Sequence, residues 1–493
     1  MSSVGEHTRF SMFLVAVTML KTNNDVKDYL LKNQGYFEEI SKYIFNHPET
    51  KFEEYLSSEY LASKCEQAGF TVERGVANIE TAFVATYGSG SPVIGFLGEF
   101  DALPGLGQEP NQTIYVPGDQ DAGHGCGHNL LGTGAFAAAC ATKNYLEENN
   151  LSGTVKFFGC PGEEAGSGKV FMVREGVFEG VDVALTWHPS PVTSIMSLSS
   201  LAYCQVSFKF KGIASHAASS PHLGRSALDA VELMNVGVNY LREHVIPEAR
   251  MHYAVTNSGG ISPNVVQANA EVLYLIRAPQ VTQVDEIYQR ICEIAEGAAL
   301  MTETELMIEF NNACSNYIPN RSLEKVLYEG LKATSIDAPT EAELLFAEEI
   351  WDSLLKGEQA GFLKMVRGFG YAGDGSEFEG SYLSHSISPY VASDEILSAS
   401  TDLADVSWVV PTAKVTVSTT ALGTALHTWQ MTTQGISDYA HKGMLRAAEG
   451  MTLAAIHLLN HKEGLIAIKE EFAAFKAKNP YRCPIPNDVQ PMK

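Results

Sequence analysis

Apolar residues at the start of the chain recur with the spacing of a helix, and later ones form short continuous runs. Helical spacing extends from Val26 to His47 and from Tyr55 to Ala68, which predicts two helices at the start of the fold. An Ala-rich stretch predicts another helix over Leu130–Glu147. Continuous apolar runs predict strands at Ala82–Tyr87, Val93–Leu97, Val155–Phe158 and Val181–Trp187. Helices that alternate with short apolar strands are typical of an α/β fold with a mainly parallel, mixed sheet flanked by helices.

The pattern changes between Leu201 and Asn312. It predicts, in chain order, a strand at Ala202–Lys211, a helix at Gly224–His244, strands at Met251–Thr256 and Ala268–Arg277, a helix at Val281–Leu300 and a strand at Glu303–Phe310. This β-α-β-β-α-β order is that of a split βαβ, ferredoxin-like module. Its length of about 110 residues is enough for a separate domain.

The first pattern returns after this module, with a strand-like run at Lys414–Ser418 and helical stretches at Tyr439–Leu459 and Glu463–Lys478. The module is therefore predicted to be inserted into a larger domain. The predicted divisions are an N-terminal extension (1–24), the first part of the large domain (25–200), the inserted domain (201–313) and the second part of the large domain (314–493). The stretch 335–396 is the hardest to assign, because it mixes a charged, helix-like run with a Gly-rich one.

Composition narrows the classes of protein to which the chain can belong. Its 34 Lys and Arg residues against 58 Asp and Glu residues give a net charge of −24, which is too acidic for a nucleic-acid-binding protein. The apolar run Phe10–Leu20 is shorter than the roughly 20 residues that span a bilayer, and it lacks the flanks of a signal peptide. Eight cysteines without regular spacing favour a reducing compartment. We therefore expect a cytoplasmic protein with no membrane partner.

Side chains with metal-binding or acid–base chemistry follow the predicted strands. Glu99 and Asp101 come after one strand and, taken alone, fit an acidic turn as well as they fit a functional site. A Gly-rich stretch then places His124, Cys126 and His128 within five residues. Glycine lets a backbone fold tightly around a small object, and Cys with His is a donor set suited to zinc and related metals. The plainer interpretation is a Gly-rich entry to a helix with incidental histidines.

Further candidates also stand where apolar strands end. Glu163 and Glu164 follow one strand, and His188 ends the next. Adjacent carboxylates at a strand end point to different sides, so one can bind a cation while the other handles a proton. His427 follows a Gly turn far downstream. Catalytic groups gather at such strand ends in open α/β sheets.

Together these clusters indicate a metal site. One Cys, one Glu and three His supply five donors for one or two divalent cations, and Glu163 is left over as a general base. An alternative is a thiol-nucleophile enzyme in which Cys126 is a thiolate paired with His128 or His124. We place it second, because a thiolate mechanism does not need the paired glutamates.

Several stretches resemble the di-metal aminoacylase and carboxypeptidase-type amidohydrolases. They are GHGCGHNLLG (Gly123–Gly132), PGEE (Pro161–Glu164), LTWHP (Leu185–Pro189), SPHLGRSALDAV (Ser220–Val231), NSGGISPNVVQA (Asn257–Ala268) and LHTWQ (Leu426–Gln430). The resemblance extends from about Val26 to the end of the chain and is weaker over 335–396. It implies that the large domain is a zinc-peptidase-like catalytic domain and that the inserted domain is a lid and dimerisation domain.

The resemblance also implies roles for single residues. Cys126 would bridge two divalent cations per subunit, Mn²⁺ or Zn²⁺, and Glu163 would be the general base. The other metal ligands would be His128, Glu164, His188 and His427. Asp101 stands where relatives carry a carboxylate that orients a ligand, although they have a His two residues earlier, where this chain has Glu99. This departure leaves the role of Asp101 open, and His124 has no ligand role in the resemblance.

The resemblance also implies roles for three residues of the inserted domain. The resemblance implies that His216 reaches an active site, usually that of a partner subunit, and polarises the scissile carbonyl. Asn264 and Arg277 match positions that hold the substrate's carboxylate, although a surface salt bridge is the plainer explanation of Arg277 on its own. The implied assembly is a homodimer, or a heteromer with a homologous A-type subunit, formed through the inserted domain.

The expected activity is metal-dependent hydrolysis of the amide bond of an N-acyl or N-aroyl amino acid. Two cations that share a water lower its pKa from about 15.7 towards about 7, and the metal-bound hydroxide would attack with Glu163 as general base. The resemblance favours p-aminobenzoyl-glutamate, cleaved to p-aminobenzoate and glutamate. Other N-acyl amino acids, indole-acetyl conjugates and dipeptides stay open, as does a non-catalytic partner of an A-type subunit.

Overall fold

The computed structural model describes residues 22–335 and 337–492. The strands in chain order are β1 (Thr71–Arg74), β2 (Phe83–Ser89), β3 (Val93–Glu99), β4 (Gly153–Cys160), β5 (Val183–Ser190), β6 (Ser194–Ile195), β7 (Ser199–Ser200), β8 (Ala202–Lys211), β9 (Arg250–Asn257), β10 (Asn269–Ala278), β11 (Glu305–Cys314), β12 (Ile396–Leu397) and β13 (Thr412–Ser418). The helices are α1 (22–32), α2 (Gln34–Asn46), α3 (Tyr55–Gln67), α4 (His128–Asn149), α5 (Glu163–Gly166), α6 (Gly168–Arg174), α7 (Ala227–Leu241), α8 (Val281–Thr302), α9 (Arg321–Lys332), α10 (Glu341–Asp352), α11 (Lys356–Arg367), α12 (Leu403–Val409), α13 (Trp429–Gln434), α14 (Asp438–Asn460) and α15 (Lys462–Lys476).

The start of the chain is only partly covered by these elements. The apolar run Phe10–Leu20 and most of the predicted N-terminal extension lie outside the described residues. Across the two described ranges, no helix has both the length and the apolar character that crossing a bilayer requires.

A seven-stranded mixed sheet lies at the centre of the larger domain, in the order β1-β2-β4-β3-β5-β13-β6. The central strands β4, β3, β5 and β13 pair in parallel, and both edges are antiparallel. Neighbouring residues of a strand point to opposite faces of the sheet. In β3, Phe96 therefore enters a core formed with α4 and α14, whereas Leu97 enters a core formed with α6 and α12. The α/β fold with helices on both faces of a mixed sheet is confirmed.

The inserted module has a four-stranded antiparallel sheet of its own. Its elements follow the predicted order β8-α7-β9-β10-α8-β11, and its strands lie in the order β11-β8-β10-β9. Helix α7 begins at Ala227 rather than at the predicted Gly224, because the Ser226 hydroxyl accepts a hydrogen bond from the backbone N–H of Asp229 and caps the helix there. Strand β9 is an edge strand with mostly exposed side chains.

Two stretches differ from the sequence prediction. The helix predicted over Val26–His47 is interrupted at Asn33, whose side-chain amide donates to the carbonyl of Tyr29 over 2.8 Å. The stretch 335–396 contains α10, α11 and β12, which pairs with β7. Helix α10 corresponds to the charged, helix-like run, whereas α11 has no counterpart in the prediction.

Candidate metal centre

The clusters of polar residues meet at one edge of the central sheet. Strand β3 ends at Glu99, β4 ends at Cys160, and His188 lies near the end of β5. Because these three strands are parallel, their carboxyl ends lie side by side. The loops after the strands carry the remaining candidate donors to the same edge.

The Gly-rich loop before α4 carries Cys126. Gly127 has a φ of +74°, and a Cβ added there would lie 2.8 Å from the methyl carbon of Met431 and 3.0 Å from Pro189. Only glycine fits, because the left-handed backbone and the close approach both exclude a side chain. The loop places Cys126 Sγ 3.4 Å from Nε2 of His188.

The five candidate donors form two groups that share one sulfur atom. The first group is Cys126, His128 and His188, and the second is Cys126, Glu164 and His427. Within each group the possible ligand atoms lie within 4.8 Å of one another. This arrangement has the form of two adjacent cation sites with a common sulfur between them.

Hydrogen bonds orient the two imidazoles of the first group, of which that of His128 is buried. His128 Nδ1 donates to Asp101 Oδ1 over 2.9 Å, and Asp101 Oδ2 accepts from the backbone N–H of Glu164 over 2.8 Å. His188 Nδ1 donates to the carbonyl of Pro189 over 2.7 Å. Each ring is therefore left with its Nε2 for the donor group. Outer contacts of this kind orient the ligands of metal sites.

Glu163 and Glu164 lie on the short turn α5, which has an irregular backbone. Ala165 has a φ of +58°, and the turn begins after Gly162, whose φ is +65°. The buried carboxylate of Glu54 accepts a hydrogen bond of 2.8 Å from the backbone N–H of Gly162. This contact anchors the turn to the start of α3, so the direction of both glutamates depends on a residue far away in the sequence.

The two adjacent carboxylates have different electrostatic environments. Burial, together with the negative charges of Glu99 and Glu164, raises the pKa of Glu163 well above its usual range. Burial acts in the same direction on Glu164, but His427, whose Nε2 lies 3.0 Å from Glu164 Oε1, together with His128 and Cys126 outweighs burial and lowers the pKa. Burial also raises the pKa of the Cys126 thiol.

The loop that carries His427 is tied directly to the loop that carries Cys126. The backbone N–H of His427 donates to the carbonyl of Gly125 over 2.7 Å. His427 itself has a φ of +62° and a half-exposed side chain. The single hydrogen bond thus joins two parts of the chain that are about three hundred positions apart.

His124 lies beside the cluster but belongs to neither donor group. Its Nε2 donates to the carbonyl of Ile44 over 3.0 Å, and burial lowers its pKa to about 3. The ring is therefore neutral at ordinary pH and attaches the Gly-rich loop to the end of α2.

A buried ion network behind the cluster has no counterpart in the sequence prediction. The fully buried Lys169 Nζ lies 2.6 Å from both Glu99 Oε1 and Asp402 Oδ1. Glu99 Oε2 faces His128 Nε2 at 3.3 Å, so the network contacts the first donor group. A buried, charged carboxylate such as that of Glu99 is usually paired with a cation. That signal indicates that a partner exists but not which lysine provides it.

A cavity of about 280 Å³ adjoins both donor groups. Its polar wall includes Glu163 and Lys414, and burial lowers the pKa of Lys414. The remaining wall is largely apolar and includes Met196, Leu198, Phe369, Leu397, Leu403 and Leu426. We call this space the acyl chamber, after the use proposed for it below.

The candidate residues of the inserted domain do not line the acyl chamber. His216 and Asn264 are exposed neighbours, and the backbone N–H of Ala217 donates to the Asn264 carbonyl. Arg277 lies on β10 and forms no ion pair within residues 22–335 and 337–492, while its buried Nε has no hydrogen-bond partner there. The salt-bridge explanation of Arg277 therefore has no support. One chain brings together the five donors and Glu163, but not His216, Asn264 or Arg277.

Comparison with characterised proteins agrees with the resemblance seen in the motifs. The chain is 50% identical over 473 residues to the B-type subunit of p-aminobenzoyl-glutamate hydrolase from Escherichia coli, an alignment that covers 94% of this chain and 98% of that protein. It is 28% identical to the Xaa-Arg dipeptidase of Homo sapiens, over 88% of each chain. Both alignments extend through the two parts of the large domain and the inserted domain.

Solved structures share the fold at low sequence identity. An aminobenzoyl-glutamate utilization protein from Klebsiella pneumoniae matches with a TM-score of 0.52 and 18% identity, covering 66% of this chain and 90% of that one. A dinuclear metal binding peptidase of the M20 family from Bacillus subtilis matches with a TM-score of 0.51 and 16% identity, covering 87% and 98%. Residues 95–401, which include most of the donors, match Peptidase family M20/M25/M40. With this match and a half-identical relative along nearly its whole length, the chain belongs to that peptidase family.

Proposed function

We propose that this protein is a dinuclear metallohydrolase that cleaves the amide bond of an N-aroyl or N-acyl amino acid, with p-aminobenzoyl-glutamate as its substrate. The observation that carries the proposal is the pair of donor groups that share Cys126. Membership of a hydrolase family supports the reaction type. The half-identical relative that is named for p-aminobenzoyl-glutamate supports the substrate.

The donor atoms fit divalent cations. His128 Nε2 and Glu164 Oε1 are buried without a hydrogen bond of acceptable geometry, although each lies close to another side chain. Leaving such atoms unpaired costs about 1–3 kcal/mol each, which a bound cation would offset. A thiolate, imidazoles and a carboxylate suit two ions of Zn²⁺ or Mn²⁺ per subunit. Cys126 would bridge them, with the other ligands from His128, Glu164, His188 and His427.

The cations and the side chains of the protein would have different roles in the reaction. When bound, the two cations would supply Lewis acidity to the amide carbonyl and to the attacking water. Glu163, which lines the chamber beside the donor groups, would take a proton from that water and return it to the leaving amine nitrogen. Asp101 would hold His128 and the backbone of Glu164 in place through its two oxygen atoms.

A second subunit would complete the site. Strand β9 is an unpaired sheet edge with exposed Tyr253 and Val255, and α7 exposes Leu233, Val236 and Tyr240 along one face. An apolar helix stripe beside an open strand edge favours association with a like surface, either of a second copy or of a homologous A-type subunit. The half-identical relative is named as the B-type subunit of a hydrolase, which supports a partner of the second kind.

The inserted domain, residues 201–313, would act as the lid in this assembly. His216 is exposed and does not line its own chamber, so it would serve the chamber of the other subunit and polarise the scissile carbonyl. Asn264 and the unpaired guanidinium of Arg277 would hold the substrate's carboxylate, for which a planar two-pronged cation is well suited. The parts 25–200 and 314–493 would form the catalytic domain. The eight free thiols support a cytoplasmic location.

Metal analysis and a substrate panel test the proposal together. Purified protein should contain about two cations per subunit and should release p-aminobenzoate from p-aminobenzoyl-glutamate, and a chelator should stop the release. Cys126→Ser should lose both metal and activity, whereas Cys140→Ser, a buried thiol farther along α4, should keep both. Full turnover by metal-free protein would refute the proposal. Metal binding with no turnover on any N-acyl amino acid would favour a non-catalytic partner instead.

A further inference from the structure

The acyl chamber has the size and polarity of a site for one aromatic group. Its volume of about 280 Å³ lies just below the usual range of ligand cavities, which is about 300–1,000 Å³. Eight of its 17 lining residues have aliphatic or aromatic side chains, and one of them, Phe369, comes from the stretch 335–396 that matches the family motifs least. Such walls gain free energy from burying a flat apolar ring and gain much less from an acetyl group.

Four hydroxyl groups line this chamber. Three of them have a hydrogen-bond partner in the protein, whereas that of Ser400 has none in the described residues. Ser200 Oγ accepts a hydrogen bond from the backbone N–H of Tyr317, and the Tyr317 hydroxyl donates to the carbonyl of Thr412. Thr401 Oγ1 accepts from the backbone N–H of Leu403. Ser400 Oγ is buried and has no partner in the described part of the chain. A buried hydroxyl without a hydrogen bond is unfavourable unless a water or a ligand supplies one.

The backbone on both sides of Ser400 is firmly held. The carbonyl of Ala399 accepts a hydrogen bond of 3.0 Å from the N–H of Leu201. On the other side, Asp402 binds the backbone N–H of Lys169 over 2.8 Å and its ammonium over 2.6 Å. These contacts restrict the backbone that carries Ser400.

We infer that Ser400 recognises a hydrogen-bond donor on the ring of an aromatic acyl group. The inference rests on the proposed function, since the scissile carbonyl must lie at the donor groups and the ring must then extend into the chamber. Ser400 Oγ lines this space and would accept the N–H of an amino group on the ring. An unsubstituted benzoyl group would fill the same space but leave the hydroxyl unpaired, and this difference would select the aminobenzoyl substrate.

Two substrates and two variants test the assignment. The kcat/KM of metal-loaded protein is measured on p-aminobenzoyl-glutamate and on benzoyl-glutamate. The wild type should prefer the amino substrate by about 3- to 10-fold, the range of one net neutral hydrogen bond. Ser400→Ala should reduce that preference to about 1 by losing activity on the amino substrate alone. Ser200→Ala removes a chamber hydroxyl that is already bonded, so it should keep the wild-type preference whatever its overall activity.

Binding of the acid products tests the role of Ser400 without depending on catalysis. Equilibrium binding should favour p-aminobenzoate over benzoate by a similar factor, and Ser400→Ala should abolish the difference. A wild type that cleaves neither amide but shows this Ser400-dependent binding would refute the proposed substrate and uphold the recognition. An unchanged preference in Ser400→Ala, or an equal loss on both substrates at intact metal content and melting temperature, would overturn the role of Ser400.

Discussion

Glu163 and Glu164 are neighbours in the chain but face different groups. Glu164 lies 3.0 Å from His427 within a donor group, whereas Glu163 is grouped with Glu99 and His128 and lines the chamber. The two side chains diverge because both lie on the turn α5, whose backbone departs from helical geometry at Glu164 and Ala165. One carboxylate is thus placed to bind a cation and the other to move a proton.

Substitution of each glutamate should separate these two roles. Glu163→Gln should keep about two cations per subunit and lose about 10²- to 10⁴-fold in kcat, because the amide can still accept hydrogen bonds but cannot take a proton. Glu164→Gln should lose metal as well as activity. Metal content by elemental analysis and hydrolysis rates provide the two measurements. Near-native turnover in Glu163→Gln would remove it as the general base.

The sequence predicts single residues well where chemistry and position coincide. Cys126, His188 and Glu164 each stand at or after an apolar strand, and the structure brings them together. The contact between Lys169 and Asp402 could not be predicted from the sequence, because the two residues are 233 positions apart and neither lies in a recognisable motif. His216 is a different case, since its proposed partner is on another chain and no single chain can place it there.

At the scale of elements, the side chain of Lys169 links helix α6 to the end of strand β3 and to the start of helix α12. It lies on α6, and its ammonium contacts Glu99 at the end of β3 and Asp402 just before α12. All three side chains are buried, so the attraction is little screened by water. The network holds both the sheet edge that carries the donors and the loop that forms part of the acyl chamber.

Removal of this buried ammonium should destabilise the fold strongly. Lys169→Met leaves two buried carboxylates unpaired, for which a loss of about 3–5 kcal/mol in the free energy of unfolding is expected. Lys211→Met is the matched control, since its ion pair with Glu305 has side chains 69% and 79% exposed and should contribute at most about 1 kcal/mol. Urea unfolding of both variants measures the difference. Equal midpoints would show that the network does not stabilise the fold.

Helices and strands could be predicted from the sequence where their apolar residues follow a single helical or strand period. The alternating strands and helices of the inserted module follow from their apolar spacing, and the structure has them in the predicted order. Helix α11 was not predictable in this way, because its apolar residues, from Phe362 to Val366, cover little more than one turn and only Val366 is buried. The break at Asn33 likewise depends on one side chain that bonds to the preceding turn.

A charge on the exposed face of α7 should disrupt subunit association. Tyr240 is 74% exposed beside Val236 and would be buried in the proposed interface. Tyr240→Glu would bury a charge there and should weaken association about 10-fold or more, with a fall in activity if the other subunit supplies His216. Ile466→Glu alters an exposed apolar residue on α15 and should change neither property. Light scattering coupled to size-exclusion chromatography gives the mass, and an unchanged mass for Tyr240→Glu would exclude this face as the interface.

At the scale of the whole molecule, the donor groups join distant parts of the chain. Residues from the first part of the large domain, such as Cys126 and Glu164, meet His427 from the second part, with the inserted domain between them in sequence. Cations held by these donors would act as cross-links between the two parts. They would also offset the close approach of several acidic groups in a chain with a net charge of −24.

Metal removal should therefore lower the stability of the entire fold, beyond its effect on activity. A cation at 100 times its Kd stabilises the folded state by about 2.7 kcal/mol per site, because the unfolded chain does not hold the donors together. The melting temperature of the wild type should fall in chelator and recover when Zn²⁺ or Mn²⁺ is restored. Cys126→Ser disrupts both donor groups, so its melting temperature should not respond to either treatment. Equal melting temperatures of the loaded and metal-free wild type would mean that the donors do not link the two parts through a cation.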